Sequence, residues 1–345
     1  MADIKDIIKT VNKSFKDILT QDGEIRPATV KTWVKTGSTL LDGAVKEGLP
    51  LGRVVEIVGK SGTGKSAISF AILAETQKMG GVGILLDSEC AADLEFAEKF
   101  GINTEELIIA VPDTIEDIYK ITKDLVVKIR ETSPDNFPIT VVADSCTIST
   151  QEEHEKTMDE VSKIGQNAKI QRRGLRSMLN FFSENNVLFV GINHITANIG
   201  NMYGPKEVST GGSAWEYFPS VRIKLHGYSK ILDKTTKSVL GMQVKATVFK
   251  NRHDFPFREA LLIIDFNTGF DDVAALVEYG KEVGLFGSKQ GWYTYKNESY
   301  RKQDLEAMFR ANKTEHQELG KLCVDILKAT DKKVSENEVF SESCE

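Results

Sequence analysis

The octapeptide GKSGTGKS at residues 59–66 constrains this chain most, because it matches the pattern Gly-x-x-x-x-Gly-Lys-Ser/Thr. Four of the five residues before it, 54–58, are Val or Ile and predict a strand, and residues 67–79 predict a helix. The glycines let the backbone turn its N–H groups toward an anion at the helix N-terminus. We therefore predict a phosphate site in which Lys65 reaches the β- and γ-phosphates and Ser66 holds Mg²⁺. Its residues are Gly59, Lys60, Ser61, Gly62, Thr63, Gly64, Lys65 and Ser66.

The composition is that of an ordinary globular protein, with 345 residues, 41% of them hydrophobic and 27% charged. No apolar run approaches the ~20 residues that span a bilayer, and the first residues do not begin a signal peptide, so we expect no membrane association. The four cysteines have neither metal-ligand spacing nor disulfide density, which favours reduced thiols in the cytoplasm. With a net charge of −6, any nucleic-acid binding must come from a local basic surface.

Strands and helices alternate through the centre of the chain and predict an α/β fold, a mostly parallel sheet covered on both faces. The expected strands are 54–58, 82–86, 139–143 and 187–193, and the expected helices lie near 65–79, 114–131 and 166–184. Hairpin-like strands follow at 221–226 and 242–249. The predicted organisation is an N-terminal helix and linker (1–35), a core (36–270), a small C-terminal α+β subdomain (271–330) and a disordered acidic tail (331–345).

The first of these regions has apolar residues at helical spacing from Ile4 to Leu19, with lysines on the other face. This predicts an amphipathic helix near residues 3–20, which Gly23 and Pro27 separate from the rest. The helix docks either on its own core or on a neighbouring protomer, and the sequence leaves both open.

Polar residues follow three of the predicted strands, at the edge where parallel sheets bind ligands. Asp144 is placed to hold Mg²⁺ through water beside the phosphate loop. Glu89 is a candidate general base for a water that attacks the γ-phosphate, or alternatively a strand-end residue facing solvent. His194 leads into a long polar loop, which we place from Ile195 to Thr210, or is a structural histidine.

A predicted helix carries four cations at positions i, i+3, i+4 and i+7, namely Lys169, Arg172, Arg173 and Arg176. A phosphate backbone is their natural partner, although a solvated helix face is the alternative. Residues 209–213, STGGS, precede a helix beginning near Ala214 and offer N–H groups to another anion.

An ordered series of motifs resembles the RecA family of homologous recombinases. It comprises Thr36–Ser38, Leu49–Arg53, the phosphate loop, Asp87–Glu89, Pro112–Thr114, Val142–Ser145, Asn193–His194, Thr210–Ala214 and Phe249–Arg252. The resemblance covers about residues 36–292 and implies a RecA-type P-loop ATPase core, an N-terminal oligomerisation helix and a small C-terminal subdomain. The compact size and divergence suggest a phage-type, UvsX-like member, acting in a bacterial cell or a phage-infected host.

The resemblance also implies roles for single residues toward ATP and Mg²⁺. Glu89 would activate water, Asp144 would hold Mg²⁺, and Asp93 and Phe96 would contact adenine. Lys250 and Arg252 would reach the ATP of a neighbouring protomer. Bacterial members carry Gln where this chain has His194, so sensing of the γ-phosphate would here involve an imidazole, and Phe96 replaces the commoner Tyr.

Two DNA-binding loops are implied, one around Glu155–Ile164 and one at Ile195–Ser209. The implied DNA contacts are Ile164, Lys169, Arg172, Arg173, Arg176, Ile199, Gly211, Gly212 and Ser213. The expected function is a DNA-dependent ATPase that forms ATP-gated helical filaments on single-stranded DNA and exchanges strands with homologous double-stranded DNA, helped by single-strand-binding and mediator proteins. A ring-forming helicase or translocase, and a nucleotide-gated DNA-binding regulator, remain alternatives.

Overall fold

A computed structural model describes residues 30–148, 150, 166–197, 207–210, 212–233, 235–289 and 291–341. Contacts divide the chain into two units, Met1–Thr32 and Trp33–Glu345, and the description below concerns the second. The predicted amphipathic helix near residues 3–20 lies outside the described residues, as does the predicted DNA-binding segment at 155–164.

The second unit begins with two short strands, β1 (Trp33–Val34) and β2 (Leu49–Pro50), which pair antiparallel on either side of helix α1 (Thr39–Val45). Ser38 caps this helix, since its side chain accepts from the backbone N of Leu41. The main sheet has ten strands. Its parallel part contains β3 (Val54–Gly59), β4 (Val82–Asp87), β5 (Leu107–Ala110), β6 (Ile139–Asp144) and β7 (Val187–Ala197).

Helices cover both faces of these strands. They are α2 (Lys65–Lys78), α3 (Leu94–Glu98), α4 (Ile115–Arg130), α5 (Gln166–Glu184) and α6 (Ala214–Tyr217), with a 3₁₀ turn at Thr104–Glu106. Alternate residues of one strand point to opposite faces, so Val54 joins the hydrophobic cluster under α4 and α5 whereas Val55 and Ile57 join the cluster under α2. This confirms the predicted α/β class with a mostly parallel sheet covered on both faces.

An antiparallel extension completes the sheet. It consists of β8 (Glu207–Ser209), β9 (Val221–Leu232), β10 (Val239–Asn251), β11 (Glu259–Asp265) and β12 (Gly269–Phe270). The sheet order is β12-β11-β10-β9-β3-β7-β6-β4-β5, and β8 pairs with β7. β9 is parallel to β3, so the phosphate-loop strand lies between β7 and β9 in the middle of the sheet.

One segment differs from the sequence-based expectation of a loop starting at Ile195. β7 continues to Ala197 and forms an antiparallel ladder with β8, in which Ile195 is opposite Ser209. Pairing with β8 satisfies the backbone hydrogen bonds of this segment, and the sequence pattern of β7 alone does not reveal that partner. Residues 198–206 lie outside the described residues.

The C-terminal elements are helices α7 (Asp272–Glu282), α8 (Lys302–Ala311) and α9 (Lys313–Ser341) and a small sheet of β13 (Gly287–Lys289), β14 (Trp292–Tyr295) and β15 (Glu298–Arg301). Phe286, Phe309 and Cys323 of this region are buried in the same cluster as Leu40 and Leu41 of α1. Helix α9 continues through residues 331–341, where the sequence predicted a tail without regular structure, because a helical backbone satisfies its own hydrogen bonds even where few side chains are apolar.

Within the described part of the chain, none of the helices has both the length and the apolar composition needed to cross a membrane.

Candidate functional site

The predicted phosphate loop joins β3 to α2. Gly62 and Gly64 have φ of +72° and +85°, a left-handed conformation that glycine adopts without strain. Gly64 is the N-cap of α2, so the N-terminus of that helix faces the loop. A Cβ atom at Gly59 would lie 2.5 Å from Thr63 Oγ1 and 2.9 Å from the carbonyl oxygen of Leu225, so only glycine fits there.

Lys65 is the first residue of α2 and its side chain is directed back into the loop. Its Nζ donates to the carbonyl oxygens of Gly59 at 3.1 Å and Lys60 at 3.0 Å, and only 7% of the residue is exposed. Burial lowers the pKa of Lys65, and the nearby Asp144 and Glu89 oppose that shift. A buried ammonium held by backbone carbonyl oxygens beside a glycine-rich loop suits a polyphosphate ligand.

Ser66 and Asp144 meet beside this cradle. Ser66 Oγ donates to Asp144 Oδ2 at 3.1 Å, across the short gap between α2 and the end of β6. Burial raises the pKa of Asp144, the Ser66 hydrogen bond lowers it, and the carboxylates of Glu89 and Asp87 raise it further. A hydroxyl and a carboxylate in an acidic cluster are the protein groups that Mg²⁺ uses when phosphate oxygens and water complete its coordination.

Glu89 and His194 face each other across the same crevice. His194 Nε2 lies 3.3 Å from Glu89 Oε1, and the two side chains are 39% and 47% exposed. Glu89 follows β4 and His194 belongs to β7, with β6 between them. The carboxyl ends of these parallel strands therefore bring together residues that are far apart in sequence, as predicted for this edge.

A cavity of about 320 Å³ collects these groups. It is lined by Lys65, Ser66, Glu89, Asp144, His194 and Phe96, with Ser61, Gly62, Gly64 and Ala67 of the loop and helix. Met242, Ile264 and Phe266 also line it, and the sequence analysis missed them. They come from β10, β11 and the turn after β11, and no local motif marks them, because only the pairing of the antiparallel extension brings them to the loop.

Asp93 and Phe96, the predicted adenine contacts, line a smaller adjoining cavity of about 110 Å³. Asp93 is also the N-cap of α3, where its Oδ1 accepts from the backbone N of Phe96 at 3.0 Å. The Phe96 ring contacts Phe100 edge-to-face, with 5.1 Å between ring centres, and Phe70 at 6.4 Å. The aromatic ring is thus fixed at the boundary of both cavities.

Lys250 and Arg252 lie elsewhere, at the C-terminal end of the short helix α6. Lys250 Nζ donates to the carbonyl oxygens of Glu216 at 2.6 Å and Tyr217 at 3.0 Å, and Arg252 Nη2 donates to that of Tyr217 at 2.6 Å. Burial lowers the pKa of Lys250 to about 8, assisted by the neighbouring Arg252 and Arg222. Among the described residues, neither cation lines the cavity that contains Lys65.

The four predicted cations of α5 are all exposed, and we call Lys169, Arg172, Arg173 and Arg176 the basic face. The opposite side of α5 is buried, where Gln171 accepts from the Tyr119 hydroxyl at 2.6 Å. Gly212 adjoins this helix, since a Cβ atom there would lie 2.7 Å from Ala168 Cβ. Gly212 and Ser213 are exposed near the start of the basic face. The other predicted DNA contacts, Ile164, Ile199 and Gly211, lie outside the described residues.

Comparison with known proteins agrees with this arrangement. Residues 2–271 match the family described as RecA N-terminal domain. Protein RecA of Wolbachia sp. subsp. Brugia malayi (strain TRS) is 32% identical over 308 residues, covering 88% of this chain and 84% of the relative. Protein RecA of Psychrobacter arcticus is 33% identical over 297 residues, covering 86% and 82%. Protein RecA of Methylobacterium radiotolerans is 35% identical over 266 residues, covering 77% and 71%.

Proposed function

Because the chain belongs to the RecA family, we propose that it is a DNA-dependent ATPase and recombinase. It assembles with ATP on single-stranded DNA into a helical filament and catalyses homologous pairing and strand exchange in recombination and repair. The observation that carries the proposal is the convergence of Lys65, Ser66, Asp144, Glu89 and His194 on one cavity of about 320 Å³.

The residues around this cavity fit ATP and Mg²⁺. ATP supplies the phosphoanhydride bond and Mg²⁺ neutralises developing charge on the phosphate oxygens. The glycine-rich loop and Lys65 would hold the phosphates, and Ser66 and Asp144 would hold the metal. Phosphate oxygens and water would supply the remaining ligands of the metal.

Glu89 is the proposed general base. Its side chain lines the cavity and is 47% exposed, so water can reach the carboxylate. Among the described residues, its one ion-pair contact is with His194. A positioned carboxylate accepts the proton of an attacking water and contributes about 10²–10⁴ in rate. His194 is proposed to sense the terminal phosphate and to orient this carboxylate, a role that its contact with Glu89 supports.

The apolar part of the cavity suits a purine base. Phe96, Phe266, Ile264 and Met242 all line it and give it an apolar wall, against which an aromatic base packs favourably. One Asp93 oxygen caps α3, so the proposed contact of Asp93 with adenine uses the other oxygen.

The basic face is the proposed contact with the phosphate backbone of single-stranded DNA. Its four cations are exposed on one helix, and the Gly212–Ser213 segment adjoins that helix, which supports one continuous surface. Because the net charge of the chain is −6, attraction to DNA must come from a local basic surface such as this one. Homologous double-stranded DNA is the proposed second substrate, and single-strand-binding and mediator proteins are proposed partners.

Lys250 and Arg252 are proposed to act on the ATP of the neighbouring protomer. Neither residue lines the nucleotide cavity of its own subunit, which supports a role toward a neighbouring one. A cation delivered across a subunit boundary would make filament stability depend on the γ-phosphate. The phage-type subclass and action in the cytoplasm of a bacterial cell or infected host stay predictions.

Electron microscopy tests the proposal directly. The protein is mixed with circular single-stranded DNA and a slowly hydrolysed ATP analogue, and we expect continuous helical filaments that are absent without nucleotide. Joint-molecule formation with homologous linear duplex, but not with heterologous duplex, is the matched activity test. Closed rings that unwind a forked duplex would instead establish the helicase alternative.

A further inference from the structure

A fully buried carboxylate lies in the middle of the strand that leads into the phosphate loop. Glu56 belongs to β3; its Oε1 accepts from Asn193 Nδ2 at 2.9 Å and its Oε2 accepts from Arg222 Nε at 2.5 Å. Glu56 is directly opposite Arg222 on the neighbouring parallel strand β9. Separating the two side chains would leave each charge buried and unpaired, which is costly. We therefore expect the geometry of this pair to be fixed.

Asn193 extends this contact to two other segments. Its Nδ2 also donates to the carbonyl oxygen of Thr210 at 2.8 Å, and its Oδ1 accepts from the hydroxyls of Thr147, at 2.8 Å, and Thr210. The two threonines flank the segments predicted to bind DNA, one before the first and one after the second. The same Oδ1 accepts from the backbone N of His194 at 2.9 Å, whose imidazole lines the nucleotide cavity.

Arg222 connects the Glu56 carboxylate to strands β8 and β10. Its Nη2 donates to Ser209 Oγ at 3.0 Å, at the end of β8. The guanidinium carbon lies 4.5 Å from the ring centre of Phe249, which immediately precedes Lys250 in β10. The buried group therefore contacts β10, the strand that carries Lys250.

The geometry points to Glu56, Asn193 and Arg222 as positioning residues that couple nucleotide binding to DNA binding, an inference that rests on the proposed function. Asn193 is wholly buried and uses both its amide nitrogen and its oxygen, so a shift of the His194 backbone cannot be absorbed without breaking a hydrogen bond. Asn193 instead transmits the shift directly to Thr147 and Thr210, and Glu56 and Arg222 transmit it to Ser209. The three positioning residues belong neither to the cavity lining nor to the basic face.

The test compares Glu56→Gln and Thr147→Val with a matched control, Thr140→Val. Thr140 is a buried threonine of β6 whose hydroxyl lies 2.6 Å from that of Thr76, away from this network. Affinity for poly(dT) is measured with and without a non-hydrolysable ATP analogue, and affinity for the analogue with and without poly(dT). ATP turnover is measured with and without poly(dT), and thermal unfolding checks that each variant is folded.

We expect Glu56→Gln to bind each ligand alone with an affinity within about threefold of the wild type. The coupling factor, by which one ligand raises the affinity for the other, should fall about tenfold. Linkage requires the same fall in both directions, and DNA stimulation of turnover should fall with it. Thr147→Val should reduce the coupling factor less, and Thr140→Val should keep it.

A folded Glu56→Gln protein with the wild-type coupling factor would overturn the inference, as would an equal loss in Thr140→Val. If Glu56→Gln does not fold, Thr147→Val decides in the same way, because it removes one hydroxyl and no charge. A wild-type chain whose ATP turnover does not respond to poly(dT) would instead overturn the proposed function and the coupling with it.

Discussion

The nucleotide cavity and the basic face of α5 place their charges in opposite environments. In the cavity, Lys65 is 7% exposed and bonded to two carbonyl oxygens, and Asp144 accepts from Ser66. On the basic face all four cations are exposed on a helix whose other side is packed into the core. Lys65 and Asp144 are thus held in position before a ligand arrives, whereas the cations of the basic face remain in water.

The difference teaches how each region should respond to substitution. A pre-oriented charge in a poorly solvated site acts strongly on one atom of its ligand and is not replaced by its neighbours. An exposed cation acts through a screened field that several residues share, so each contributes little and the contribution depends on salt. Large, specific losses in the cavity and small, additive losses on the basic face follow from this contrast.

Lys65→Ala should give the largest effect. It removes the ammonium that the loop holds toward the phosphates, and we expect ATP turnover to fall on the order of 10³-fold or more, with weaker ATP binding. The control is Lys78→Ala at the other end of α2, where the lysine is 60% exposed and paired with Glu75. Comparable ATP turnover in the two variants would contradict the assignment of residues 59–66 as a phosphate-binding loop, and the contrast between the cavity and the basic face would then not hold.

Substitutions of Lys250 and Arg252 test whether large losses of ATP turnover, expected for residues of the cavity, also occur for residues contributed by a neighbouring subunit. Lys250→Ala should lower turnover in the DNA-bound assembly on the order of 10³-fold, as loss of an arginine-finger charge does, with ATP binding to the free protomer retained. Mixing Lys250→Ala with Glu89→Ala subunits should partly restore turnover, because an intact Glu89 then meets an intact Lys250 at some junctions. Co-assembled mixtures no more active than the sum of the separate mutants would make these cations structural parts of their own subunit.

Glu89→Gln should separate hydrolysis from binding. It removes the proton acceptor and keeps the phosphate and metal contacts, so turnover should fall by about 10²–10⁴ while ATP and the DNA filament persist. Filament lifetime after dilution, measured beside single-turnover hydrolysis, checks this, with Glu95→Gln on the exposed side of α3 as control. Parallel loss of ATP affinity and turnover would contradict the role of Glu89 as base.

The two regions also differ in how far sequence could predict them. The phosphate loop, Asp144 and Glu89 follow local rules, a strand followed by a glycine turn or by a carboxylate, and the structure brings them together as expected. The Glu56–Arg222 pair could not be predicted, because one charged residue in an apolar strand gives no sign of a partner 166 positions away. The same holds for Phe266, since the pairing of β10 with β11 decides which face meets the loop.

A buried carboxyl group away from the cavity extends the comparison of buried and exposed groups to protein stability. Asp42 on α1 accepts from the backbone N of Thr36 at 2.8 Å and its hydroxyl at 2.9 Å, and burial raises the pKa of Asp42 to about 7 from 3.8. The folded state then binds more protons than the unfolded state, so stability is highest below about pH 4 for this group and is lost as pH rises to about 7.

Urea unfolding at a series of pH values measures this contribution. Between pH 5 and 7 the Asp42 contribution should fall by about 1 kcal/mol per pH unit, and Asp42→Asn should remove that part of the slope. Wild type and Asp42→Asn with parallel stability profiles would show that this carboxyl is solvated like the exposed charges of the basic face.

The basic face should give the smallest effects and the ones most sensitive to salt. Lys169→Ala or Arg176→Ala removes one exposed cation without touching the cavity, so ATP affinity should stay constant while single-stranded DNA affinity falls equally for all sequences. Each lost phosphate contact should make the negative slope of log affinity against log salt less steep by about 0.7, and the effects of two substitutions should add. Lys321→Ala, an exposed lysine of α9, is the control and should leave the slope unchanged. If the α5 variants match that control, the four cations are a solvated helix face, and the contrast between the two regions is then one between a binding site and an ordinary surface.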